Sequence, residues 1–145
     1  VNSDDTIAAI SSGVGAAPRM IVRISGPRAI SIATGLGPED LAGGSAQRCN
    51  LNFNSLSVPA WVYVFRSPHS YTGEDSAEFH IPGNPVLAKM LLDELYGRGA
   101  RPAEPGEFTA RAYFNGRIDL AGAEGVAATI AAGNRQEMAA ARQLL

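Results

Sequence analysis

The stretch 75-DSAEFHI-81 alternates without a break, with Ala77, Phe79 and Ile81 on one side and Ser76, Glu78 and His80 on the other. Successive side chains of an extended chain point to opposite faces, so this pattern predicts a strand with one apolar and one polar face. Upstream, 67-SPHSYTGED-75 is a loop by its Pro, Ser and Gly content. Downstream, Asn84 and Pro85 open a helix whose apolar stripe is Leu87, Met90, Leu91 and Leu95, and Gly97 and Gly99 stop it.

Further out, 6-TIAAI-10 and 19-RMIVRIS-25 read as strands, and 27-PRAISIATGL-36 reads as a short helix with Pro in its first turn. The segment 37-GPEDLAGGSAQR-48 is a loop by composition, and strands are expected around 49-CNLNFNSL-56 and 59-PAWVYVFR-66. A short extended piece, 100-ARPAEP-105, leads into an amphipathic run and an Asn-Gly break. From Asp119, Leu120, Ala123, Ala127, Ile130 and Ala131 repeat at helical spacing, with Asp119 as the cap. Gly133 and Asn134 then mark a break before a second helical pattern, 135-RQEMAAARQLL-145. The expected class is α+β, a mixed β-sheet with flanking helices.

The 145 residues suffice for one sizeable core, and 46% hydrophobic with 18% charged residues is ordinary for a globular protein. No apolar run reaches the roughly 20 residues of a spanning helix, and the N-terminus lacks a secretory pattern. A single cysteine, Cys49, forms no internal disulfide, and a cytoplasmic location without membrane attachment is expected. The net charge of −2 argues for weak or no nucleic-acid binding by this chain alone, because gripping a phosphate backbone takes a basic excess. Of 12 basic residues only Lys89 is lysine.

The segment 13-GVGAAP-18 fails as a dinucleotide fingerprint, since Pro18 replaces the third glycine and a strand follows where a helix should open. There is no Gly-Lys pair, hence no P-loop. His69 and His80 have no telling spacing to a nucleophile or carboxylate, so no catalytic residue and no metal site are expected. Ser70, Tyr71 and Thr72 have side chains a catalytic site could use, but turn chemistry explains them just as well.

Three charges remain. Arg23 interrupts the apolar strand 20-MIVRI-24, Glu78 lies on the polar face of its strand, and Arg117 follows the Asn-Gly turn. Each alone reads as part of a solvated surface; Arg23 and Glu78 could also form an ion pair within the sheet. A third reading is a pocket offering one carboxylate and two guanidiniums to a polar, partly anionic ligand. Patterning leaves the three open.

The segments 5-DTIAAI-10, 21-IVRISGP-27, 67-SPHSYTGEDSAEFH-80 and 104-EPGEFTARAYFNGRIDLAGAE-124 resemble, in order and spacing, the N-terminal part of the MnmE (TrmE) family of tRNA-modification GTPases. The run PGEF-x-x-RA-[FY]-x-NG-[KR]-[LI]-DLAxAE is long and specific. The resemblance implies a domain like the folate-binding domain of the glycine-cleavage aminomethyltransferase, binding 5-formyltetrahydrofolate or another one-carbon tetrahydrofolate and forming a homodimer. Residues 1–118 would be that module, and 119–145 the first helices of a helical domain. The GTPase domain, with its GTP, Mg and K, would lie outside this chain. In the family the whole protein works with the flavoprotein MnmG on the wobble uridine of tRNA.

The resemblance also carries folate contacts onto Arg23, Glu78 and Arg117. A pterin edge of N–H donors suits a carboxylate, and guanidinium groups suit the anionic glutamate tail; which arginine meets which part stays open. The family usually has Lys at Arg117, PPGRGG where this chain has 11-SSGVGAAPRM-20, His-Gly-Gly at 82-PGN-84, and Gln at Gly122. Two further readings are a non-catalytic assembly module with a degenerate folate pocket, and a free-standing folate-dependent transferase.

Overall fold

Period-two hydrophobicity is realised as a sheet of order β3-β4-β5-β2-β1-β6. Its strands are β1 (Thr6–Ile10), β2 (Arg19–Ser25), β3 (Ala46–Phe53), β4 (Leu56–Phe65), β5 (Ser76–Pro82) and β6 (Ala100–Pro102). Every pairing is antiparallel except β1 with β6, which is parallel. The helices are α1 (Ala29–Gly35), α2 (Pro85–Gly97), α3 (Glu107–Phe114) and α4 (Leu120–Ala131). The expected α+β class with a mixed sheet is what the chain forms. This computed structural model describes residues 4–11, 18–38 and 46–131. The loop 13–18 (save Pro18) and the helical pattern 135–145 lie outside the described residues.

Packing groups the described residues into two units: those up to Ser70 with Glu74–Ala103, and Tyr71–Gly73 with those from Glu104 onward. The first holds the whole sheet, α1 and α2. One sheet face carries Val22, Ile24, Val62, Val64, Ala77 and Phe79, all fully buried, against Ala33 of α1 and Leu91 and Leu95 of α2. Burial of a side chain such as Phe79 contributes about 1.5–3 kcal/mol, so this face fixes the strand register. Asn84 caps α2 as expected, its Oδ1 accepting from the Val86 and Leu87 amides at 2.9 and 3.3 Å.

Two expectations shift. The helix at 27–36 begins at Ala29, because Pro27 and Arg28 form a turn whose Arg28 amide donates to Thr6 Oγ1 at 2.9 Å. The strand expected at 49–56 starts earlier, at Ala46, within the segment read as loop, and ends at Phe53. Asn54 and Ser55, at φ 50° and 59°, make a two-residue hairpin connection, and Phe53 pairs with Leu56 across it. Positive φ at both positions suits a I′ turn, whose twist matches the strands; Ser in place of the usual Gly hides the signal. Pro59 is tolerated inside β4 because β5 pairs with β4 only from Trp61 to Phe65, so one side of β4 has no strand partner there.

In the second unit α3 packs on α4. Asp119 caps α4, with Oδ1 accepting from the Gly122 amide at 2.7 Å. Arg111 is fully buried and donates from Nη2 to Glu107 Oε2 at 3.4 Å, one turn earlier on α3. The other Glu107 oxygen accepts from the Glu104 amide at 2.9 Å, which ties the entry of α3.

Candidate functional site

The sheet face opposite the core is built from the alternate residues of the same strands. One row across it runs Ala9, Arg23, Glu78 and Tyr63, successive partners on β1, β2, β5 and β4. The next row runs Ile21, His80, Trp61 and Arg48. Ile21, Arg23, Tyr63, Glu78 and His80 are half-buried, whereas Trp61 is exposed. A face of this kind, polar groups among aromatic rings, has the make-up of a ligand surface.

Arg23 and Glu78 are directly opposite each other on neighbouring strands. Arg23 donates from Nε and Nη2 to Glu78 Oε2, at 3.1 and 2.9 Å. The ion pair allowed by the sequence therefore forms, with side-chain exposures of 24% and 20%. The remaining oxygen, Oε1, lies 3.3 Å from His80 Nε2. A carboxylate only accepts, so Nε2 is the donor in this contact, and the other ring nitrogen is Nδ1. That Nδ1 is buried without a hydrogen-bond partner among the described residues. The imidazole lies against the Tyr63 ring, with centroids 4.5 Å apart and planes tilted by 44°.

This arrangement gives Glu78 a fixed orientation and leaves lone pairs on Oε1 for a donor edge. Arg23 is committed to Glu78 and acts on it as a positioning cation. Sequence reading gives Tyr63 no role and His80 no telling carboxylate, whereas the structure sets His80 against Glu78, two residues before it on β5, and Tyr63 against His80. Their signal was the alternation in 75-DSAEFHI-81 and 59-PAWVYVFR-66, but which strands lie side by side had to come from the fold.

Arg117 belongs to the second unit. Its amide donates to Ala112 O at 2.8 Å and the Gly116 amide donates to Tyr113 O at 3.0 Å. With Gly116 at φ 74°, this is a Schellman ending of α3, in which glycine takes the left-handed position and Arg117 leaves the helix at a defined angle. Asn115 Nδ2 donates to Thr72 O at 2.8 Å, and Tyr71 Oη and Thr109 Oγ1 are 2.9 Å apart, so the loop 71–73 is bound to α3. Gly73, at φ 81°, sits where an added Cβ would come within 2.8 Å of Asn115 Cβ and 3.2 Å of Arg117 Cγ. The glycine is required there by both conformation and space.

The 67–75 loop has its own ties in the first unit. Asp75 Oδ1 accepts from the Ser67 amide at 2.8 Å, and Ser25 Oγ donates to Glu74 Oε1 at 3.0 Å. Among the described residues no group of three His, Cys, Asp or Glu is placed to hold a metal ion. No helix among them is long and apolar enough to cross a membrane.

The sequence that folds into this mixed sheet and the helix after it matches the family described as the GTP-binding protein TrmE N-terminus. That family's model matches residues 6–117, and the chain belongs to the family. Among its relatives are proteins named tRNA modification GTPase MnmE. That of Leptospira interrogans is 38% identical over 149 aligned positions, covering 97% of this chain and 33% of the relative. That of Saccharophagus degradans is 42% identical over 146, covering 99% and 31%, and that of a Nitratiruptor species 45% over 134, covering 90% and 30%. The chain spans about a third of the length of the curated relatives it matches.

Proposed function

We propose that this chain is the one-carbon tetrahydrofolate-binding, dimerising N-terminal module of a tRNA-modification GTPase. The observation that carries the reading is Glu78: a half-buried carboxylate, held through one oxygen by Arg23, on a sheet face lined by Tyr63, His80 and Trp61. The relatives' name supplies the tRNA-modification and GTPase parts.

In this reading residues 1–118 form the folate module, resembling the folate-binding domain of the glycine-cleavage aminomethyltransferase, and 119–145 begin a helical domain. Glu78 accepts from the amidine-like N–H edge of the pterin, and Arg23 keeps the carboxylate aimed. Tyr63, the partner of Glu78 on β4, offers apolar surface to the ring system. Arg117 is carried over from the family as a further folate contact. When bound, the folate supplies a one-carbon unit; no residue of this chain is assigned a catalytic role. GTP, Mg and K belong to parts of the parent protein outside this chain, as do the wobble-uridine chemistry and the MnmG-type flavoprotein partner. The homodimer and the cytoplasmic location belong to the same proposal.

Titration of the chain with 5-formyltetrahydrofolate tests it by calorimetry. Saturable heat with one site per protomer supports it. Absence of binding favours the second reading, a non-catalytic assembly module. That alternative draws on the same pair, since Arg23 and His80 already engage both oxygens of Glu78.

A further inference from the structure

Beyond the second row of the polar face, Arg19, Arg48, Trp61, His80, Pro59 and Pro82 line a depression of about 230 Å³. It starts at His80, two residues along β5 from Glu78, and is lined by no carboxylate. Arg19 and Arg48 are exposed, and neither makes an ion pair among the described residues. Across the sheet Arg48 is the direct partner of Trp61, which in turn faces His80, while Arg19 faces Pro82. From the imidazole beside Glu78 the depression thus spreads to both sides, to the exposed Trp61 indole and the Arg48 guanidinium across β4 and β3, and to the Arg19 guanidinium on β2.

Strand geometry gives the scale. Arg19 lies four residues from Arg23 along β2, about 13 Å at 3.3 Å per residue. Arg48 lies two residues along the strands from the Glu78 row and two strands across, a displacement of about 12 Å at 3.3 Å per residue and 4.8 Å between strands. A chain −2 overall that gathers two unneutralised arginines beside an exposed ring is set up for an extended anion with an aromatic portion. Arg is also the cation whose planar fork matches carboxylates in pairs.

We infer that this depression is the subsite for the poly-γ-glutamate tail of the folate, with Trp61 against the para-aminobenzoyl spacer and Arg48 and Arg19 on the tail carboxylates. The inference rests on the folate reading above and gives it a direction: the pterin at Glu78, the tail running toward the Arg19 end of β2. It also assigns the tail to arginines other than Arg23, whose guanidinium is taken up by Glu78.

The test compares the monoglutamate and triglutamate forms of 5-formyltetrahydrofolate on all 145 residues, by calorimetry at low and high salt. The triglutamate should bind about fivefold more tightly at low salt, the modest gain of a few solvent-accessible charge pairs, and the gain should shrink as salt screens them. In the double variant Arg19→Gln/Arg48→Gln the ratio of the two affinities should fall to about one, whereas Arg19→Lys/Arg48→Lys should keep a preference. Equal binding of both forms by the unaltered chain, or a preference that survives the Gln double variant, overturns the tail assignment and leaves folate binding standing. Failure of both forms to bind overturns the folate reading together with this inference.

Discussion

Arg23 and Glu78 meet across the β2–β5 ladder with both guanidinium donors on a single carboxylate oxygen, at 3.1 and 2.9 Å. The geometry is lopsided. One oxygen is saturated by the protein, while the other has only His80 Nε2 at 3.3 Å. An ion pair with a purely structural purpose gains most from using both oxygens; this one keeps a face of the carboxylate in reserve.

Replacing Glu78 by Ala should therefore weaken 5-formyltetrahydrofolate binding by about 10- to 100-fold, the loss expected when hydrogen bonds to a charged acceptor are removed. The fold should survive at a cost of about 1 kcal/mol, since Arg23 is partly exposed and can turn to water. Calorimetric titration alongside thermal unfolding checks both, and unchanged affinity would remove Glu78 from the site.

Arg117→Lys should leave unfolding within about 0.5 kcal/mol of the parent chain, because the bonds that end α3 are made by backbone atoms. Folate affinity should be retained or improved, since the family usually carries Lys there. A collapse of binding in titration would show that the contact at position 117 needs the planar guanidinium.

Gly116 and Gly73 both have left-handed backbones, at φ 74° and 81°, but differ in their surroundings. An added Cβ at Gly116 has nothing within 4 Å, whereas at Gly73 it comes within 2.8 Å of Asn115 Cβ. Gly116→Ala should thus cost about 1 kcal/mol, the conformational penalty alone. Gly73→Ala should cost more, and should speed amide exchange at Asn115 and Arg117, which hydrogen-exchange NMR reads directly. Equal costs for the two would remove the steric role given to Gly73.

Burial raises the pKa of the Cys49 thiol above its ordinary value. Alkylation by iodoacetamide should be slow at neutral pH and should rise with pH later than for an unfolded control. The stability consequence follows in sign. Above the unfolded thiol pKa the unfolded chain gives up its proton while the folded chain keeps it, so stability falls as pH rises through that window. Cys49→Ser should remove that part of the alkaline decline in chemical denaturation.

Much of this was legible residue by residue. The alternation in 75-DSAEFHI-81 assigns Phe79 to the core face and Glu78 to the other, and the structure agrees. Asn84 and Asp119 announce their helices because capping is a local contest for the first free amides. The Asn54–Ser55 turn stayed hidden because Ser seldom takes positive φ, and only the pairing of β3 with β4 on either side of it demands that geometry. Arg111 gave no warning of being the largest fully buried side chain among the described residues, since its i,i+4 spacing to Glu107 is equally common on exposed helix surfaces.

By itself the sequence determined which face of each strand is apolar and where the helices begin, since both depend on neighbours within a few positions. Strand order was decided only by the tertiary structure. Placing β5 between β4 and β2 sets Tyr63 on one side of Glu78 and Arg23 on the other, and aligns His80 with Trp61 and Arg48. Those partners lie tens of positions apart in the chain. What brings them together is the burial of the opposite face against α1 and α2, a property of the whole sheet and of no segment of it.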